Sequence, residues 1–227
     1  MQYAHNWKAF QDKYPINPSF EIARTLSEAF SSRADREPAI RIILHQSPIK
    51  VVYEHVQELI PRLLAAYQGQ IDAVLHIGMA SGRKFYTIEK FARRDGYTRH
   101  KDLDGKVLAE EYGPEHFPDC PSKMTTTLDY QLLWEDWFNH ISLADKQESS
   151  LKREELCQSE DAGNFLCDFT YFNSLAFYAR REHSNGNTTS RPVMFLHVPG
   201  ESDVDSLKRG SIVAVALVRA IADQISC

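Results

Sequence analysis

Apolar runs of strand length alternate along this chain with segments of helical periodicity, and no other feature restricts its fold as much. Ala39 to His45 (Ala-Ile-Arg-Ile-Ile-Leu-His), Ile71 to Ile77 and Val193 to Val198 are β-branched or near-continuously apolar, as strands buried on both faces must be. Between them lie helical stretches. Pro18-Ser19 followed by Phe20, Ile22, Ala23 and Leu26 predicts a capped amphipathic helix ending near Phe30. After Pro48, Val52, Val56, Leu59, Ile60, Leu63 and Leu64 recur at helical spacing through Tyr67. Tyr130 to Ile141, Cys167 to Arg180 and Asp203 to Ile225 predict three more helices, the first bearing Leu132, Leu133, Trp134, Trp137 and Phe138. Strands and helices in this order predict an α/β sheet covered on both faces. The polar stretches Lys146 to Arg153 and Arg181 to Arg191 are expected to be surface loops or insertions.

At 227 residues the chain has the length of a single domain, residues 1–227, with a core that needs no staples. A net charge of -5 gives no footing for nucleic acid or an anionic membrane, and no apolar run reaches the roughly 18 residues that span a bilayer. The first residues, with Asn6, Lys8, Gln11 and Asp12, lack the apolar core of a signal peptide. Cys120, Cys157, Cys167 and Cys227 form no CxxC or regular framework, so free thiols in a reducing cytoplasm are expected.

Function in α/β sheets collects in loops at the carboxyl ends of strands. Three such places stand out: Gly78-Met79-Ala80-Ser81-Gly82-Arg83, the segment Ser159 to Cys167, and His197-Val198-Pro199. Cys167 falls in the first turn of a predicted helix just after Asp161-Ala162-Gly163, where unpaired N–H groups and the helix dipole favour a thiolate. The plain alternative is a small core cysteine, but the turn, the helix start and the polar Asp168 suit an exposed first-turn position better. His197 closes a strand before Val-Pro, where a histidine is either satisfied by a backbone contact or catalytic. Glu89 by default is a solvated carboxylate, supported otherwise only by its nearness to the Gly78–Gly82 loop. The nine histidines show no HExxH or comparable spacing, so neither a metal nor a cofactor is expected. The glycine pattern is no Walker or dinucleotide motif, and there is no GxSxG elbow.

The run Ser-Glu-Asp-Ala-Gly-Asn-Phe-Leu-Cys-Asp-Phe-Thr-Tyr-Phe-Asn-Ser-Leu at Ser159 to Leu175 resembles the pyroglutamyl peptidase I, or pyrrolidone-carboxylate peptidase, family. Phe195-Leu-His-Val-Pro199, Ile77-Gly-Met-Ala-Ser-Gly-Arg83 with Ile88-Glu89-Lys90, Gln57-Glu-Leu-Ile-Pro61 and Asn17-Pro-Ser-Phe20 support it in family order. The resemblance implies a three-layer α/β/α sandwich with a central twisted mixed sheet. It also implies a Cys-His-Glu triad in which Cys167 is the nucleophile, His197 the base and acid, and Glu89 its orienter. The implied activity is a cysteine exopeptidase that removes N-terminal pyroglutamate from peptides through a thioester. Two alternatives stand beside it: a catalytically silent relative acting as a binding protein, and a nucleoside-phosphorylase-like enzyme with an idle Cys167/His197 pair. Oligomeric state is left open, a homo-oligomer included.

This sequence departs from the family at its start. Members begin with an apolar strand and a Gly-Phe-Gly-Pro-Phe turn, where this chain has Met1 to Phe10. The first strand is therefore expected to be missing, with Trp7 and Phe10 standing in for the aromatic walls of the ring pocket and a neighbouring strand edge left unpaired. Met79 replaces the glutamine of bacterial members in the substrate site, and Thr98, beside Arg99, replaces an arginine.

Overall fold

A computed structural model describes residues 15–31, 40–148, 151–185 and 192–225. Asn17 opens the first helix, α1 (Pro18–Ser31), its side-chain oxygen accepting from the Ser19 N–H at 3.1 Å while Pro18 fills a position where no N–H is needed. Helix α2 (Tyr53–Ala66) follows and leads to strand β1 (Val74–Met79). Next come β2 (Tyr86–Glu89), β3 (Phe91–Arg93), a short α3 (Tyr112–His116) and β4 (Lys123–Thr125). Helix α4 (Tyr130–Glu148) is capped by Asp129, which accepts from the N–H groups of Gln131 and Leu132. After a 3-10 turn come β5 (Leu156–Ser159), α5 (Leu166–Asn185), β6 (Val193–Val198) and α6 (Val204–Ile225), the last capped by Asp203.

The main sheet has the order β1-β6-β2-β5, and β3 and β4 form a separate antiparallel pair. It is mixed: β1 runs parallel to β6, β2 antiparallel to β6, and β5 parallel to β2. Strand alternation divides its two faces. Met194, Leu196 and Val198 of β6 join Tyr86 and Ile88 of β2 in a core closed by α1, α4 and α6 through Ile22, Leu26, Leu133, Trp137, Val213 and Leu217. The buried Trp137 indole donates to the Val213 carbonyl at 3.0 Å, fastening α4 to α6. On the other face Val193 and Phe195 meet Tyr171, Phe172 and Leu175 of α5, and α2 packs beyond through Tyr53, Val56 and Ile60 against Phe169. Every residue of β6 is buried, whereas β1, at the end of the sheet, is mostly half-buried.

Several expectations change. Residues 40–45 form no strand. Their β-branched composition suits a ladder, but none of the described strands pairs with them; Ile42 packs against the core instead. The strand expected over Ile71 to Ile77 starts at Val74 and extends through Met79, so Gly78 and Met79 belong to β1 and not to the loop after it. Residues 181–185, expected in a loop, continue α5, and residues 146–148 continue α4. Strands β2 to β4 and helix α3 were not foreseen, while β5 is the strand expected, without bounds, before the Ser159 to Cys167 segment. The expectations for Trp7, Phe10 and a missing first strand lie outside the described residues.

Candidate active site

Sheet register builds the site. Gly78 of β1 lies opposite His197 of β6, His197 opposite Thr87 of β2, and Thr87 opposite Cys157 of β5. Because side chains alternate, His197 points to the α5 face along with Val193 and Phe195, and Thr87 and Glu89 point there as well. Glu89 is two residues along from Thr87, a diagonal neighbour of His197 on that face. Its Oε1 lies 2.7 Å from His197 Nδ1, with Glu89 fully buried and His197 only 4% exposed. The carboxylate thus fixes the ring, with Nδ1–H donating and Nε2 left for Cys167, which acts on the charge of the imidazole.

Cys167 arrives from the opposite layer as the second residue of α5. Gly163 (φ 96°) and Asn164 (φ 45°) turn the chain through the left-handed region immediately before the helix starts. Burial packs Leu166 and Phe169 against α2, which turns Cys167 toward the sheet. There its sulfur sits over Gly78: a Cβ on that glycine would lie 3.0 Å from Sγ and 2.7 Å from the Phe195 ring. Only a residue without a side chain leaves room for the thiol beside His197.

The three expected residues therefore meet, though not as strand-end reasoning supposed. Strand β2 runs against β1 and β6, so Glu89 reaches His197 from the middle of the sheet rather than from a shared carboxyl edge. A cleft of about 1160 Å³ on the β1 side is lined by Gly78, Met79, Phe165 and Cys167 together with residues 40–51. Neither His197 nor Glu89 lines it, so a molecule entering there meets the sulfur with the imidazole behind it.

Electrostatics single out His197. Burial alone would hold its pKa down, but the hydrogen bonds and charges of Cys167 and Glu89 overcome this and raise it to about 9. Burial pushes the thiols of Cys120 and Cys157 up.

Charged residues that sequence reasoning passed over secure the cysteine loop. Arg83 Nη1 donates to Glu89 Oε1 at 2.7 Å and Nη2 to the Asp161 carbonyl at 2.9 Å. Arg93 reaches Asp161 Oδ1 at 2.9 Å and the buried Asp168 at 3.4 Å, while its backbone N–H donates to Asp168 at 2.9 Å. Asp161 also accepts from the Gly163 N–H. Arg83 sits in the glycine-rich segment noted above, so its position in sequence was visible although its partners were not.

The family model described as pyroglutamyl peptidase matches residues 7–140. The chain belongs to the pyroglutamyl peptidase family. That match includes Glu89 and ends before Cys167. The pyroglutamyl-peptidase 1 of Rattus norvegicus is 31% identical over 167 residues, 69% of this chain and 62% of that protein; its Homo sapiens counterpart is 30% identical over the same share. The chain thus spans less than two thirds of the length of these relatives. Among solved structures, the pyrrolidone carboxyl peptidase of Pyrococcus furiosus superposes with a TM-score of 0.61 at 21% identity, covering 93% of this chain and 91% of that one. The Thermococcus litoralis enzyme gives 0.64 at 18% identity, covering 92% and 88%. At such identities these two speak for the fold, a mixed sheet between helical layers.

Proposed function

We propose that the protein is a cysteine exopeptidase that removes N-terminal pyroglutamate from peptides. The observation that carries this is a thiol, an imidazole and a carboxylate joined in sequence at a cleft wall, in a chain of the pyroglutamyl peptidase family. Cys167 passes its proton to His197 and the sulfur attacks the carbonyl that follows the lactam ring. Free N–H groups at the start of α5 receive the oxyanion, where one lost donor typically costs about 3 to 4 kcal/mol of transition-state stabilisation. The His197 imidazolium, favoured by Glu89, then protonates the leaving amine. Water next attacks the thioester, with His197 as base, and pyroglutamate leaves. The ring is uncharged, so a cleft with Met79 and Phe165 on its walls suits it better than an ion-pairing site would; Trp7 and Phe10 are the further ring contacts we propose from sequence. The chain acts as one domain on peptide substrates in a reducing cytoplasm, where Cys167 stays a free thiol. No described helix is long and apolar enough to cross a membrane.

The test compares pyroglutamyl-arylamide with glutaminyl-arylamide. The protein is expected to release arylamine from the first alone, and Cys167→Ser to abolish release by at least 1000-fold, about 4 kcal/mol, with an unchanged circular dichroism spectrum. Equal cleavage by Cys167→Ser would overturn the assignment.

A further inference from the structure

We propose that Arg83 is a positioning residue for the Cys167–His197–Glu89 group, setting through one shared carboxylate oxygen how readily His197 gives up its proton. The proposal rests on the function proposed above and deepens it.

Glu89 Oε1 accepts from both His197 Nδ1 and Arg83 Nη1, each at 2.7 Å. The other oxygen, Oε2, is buried and makes no hydrogen bond among the described residues. Two donors therefore divide one oxygen of a carboxylate that is wholly removed from solvent. Surface ion pairs are screened and contribute little, but this one has a side chain 26% exposed on the arginine and 0% on the glutamate, so its charge acts with little attenuation. A guanidinium stays charged at every working pH. Placed on the same oxygen as the imidazole, it opposes a second positive charge on His197 while still holding the carboxylate in place. The same guanidinium bonds the Asp161 carbonyl, six residues before Cys167, so one side chain connects the orienting acid to the loop that delivers the nucleophile.

The consequence is chemical. His197 must be protonated to serve the leaving amine and must then release that proton to activate water. An acid works best when its pKa lies near the working pH, and Glu89 and Cys167 already hold His197 at about 9. Without the opposing charge the imidazolium would be stabilised further and become a poorer acid. Among the described residues, Cys167 from α5 and Glu89 from β2 act on the charge of the ring, and Arg83 from the segment after β1 reaches it through Glu89. The phenols of Tyr130 in α4 and Tyr171 in α5, which feel the charge of Glu89, are raised far above neutral chiefly by burial and stay uncharged in this range.

The experiment measures the alkylation rate of Cys167 by iodoacetamide against pH, whose alkaline step follows deprotonation of the His197 imidazolium and needs no substrate. In Arg83→Gln the step is expected to move up by about 0.5 to 1 pH unit. On pyroglutamyl-arylamide, kcat should fall about tenfold with KM within about twofold, since no ring contact is lost. Arg83→Lys, which keeps the charge, should hold the step within about 0.2 unit of the unaltered protein. In a Glu89→Gln background, Arg83→Gln should shift nothing further. A residue that merely pinned the loop would lower the melting temperature without moving the step. An unmoved step in Arg83→Gln, an equal shift in Arg83→Lys, or a full shift in the Glu89→Gln background overturns the proposal. Should Arg83→Gln fail to fold, Arg83→Met takes its place: the same upward step supports the role of the charge, and an unmoved step ends it. If the unaltered protein leaves pyroglutamyl-arylamide intact, the function proposed above fails, while the alkylation profile still decides the role of Arg83.

Discussion

Cys167 is set apart from the other described cysteines by what surrounds its sulfur. Cys120 is buried and Cys157 half-buried, and burial raises both thiols, whereas Cys167, also half-buried, sits at a cleft wall beside an imidazole on whose charge it acts. Limited iodoacetamide treatment at pH 7 followed by peptide mapping should find Cys167 modified at least tenfold faster than either; equal labelling would sink that expectation. Glu89→Gln keeps the shape of the side chain but removes the charge that favours the imidazolium, and should lower kcat by about 100-fold with KM little changed. The cysteine and histidine were legible in sequence because each sat beside a local signal, a helix start in one case and a strand end in the other. Glu89 was not legible from local pattern: by default it read as a solvated carboxylate, and only its nearness to the Gly78–Gly82 loop and the family resemblance pointed to it. The missed signal was Tyr86-Thr87-Ile88, an aromatic and β-branched run that marks a strand. Recognising it would have placed Thr87 and Glu89 on one face.

At the scale of elements, the site depends on how closely α5 lies on β1 and β6. Gly78 is the contact point, and a methyl group there would press on a Phe195 ring 2% exposed and on the sulfur together. Gly78→Ala should destabilise the protein by about 1 to 3 kcal/mol in urea unfolding. It should also lower kcat disproportionately, because the thiol, at the helix end, is the part free to yield. Equal activity per folded molecule would show that the helix tolerates the shift. The long helices and β6 were readable because their periodic signals are long or their burial complete. Strands β2 to β5, three or four residues each, are too short for a period to emerge. The run at 40–45 shows the converse: strong strand composition yields no strand where no described ladder receives it.

For the molecule as a whole, two buried groups link stability to pH in opposite parts of the scale. Burial raises Asp168 from the ordinary 3.8 to about 6, against the pull of Arg93. Between those values the folded state keeps a proton that the unfolded chain releases, so this contribution is complete below about pH 4 and lost as pH climbs to about 6. Two pH units correspond to roughly 3 kcal/mol at most. The difference in urea stability between the unaltered protein and Asp168→Asn should therefore change by about 1 to 3 kcal/mol across that window and stay flat above it; a flat difference throughout would refute the linkage. His197 acts later, with a contribution present below its ordinary 6.5 and lost as pH rises through about 9, so His197→Gln should flatten the alkaline decline. Both groups are anchored deep in the fold, and β6, which carries His197, is covered by core on both faces. A strand so placed has no partial opening of its own. Heating should then yield a single inactivation half-life equal to that of unfolding, with no early loss of competence in a molecule that still looks native.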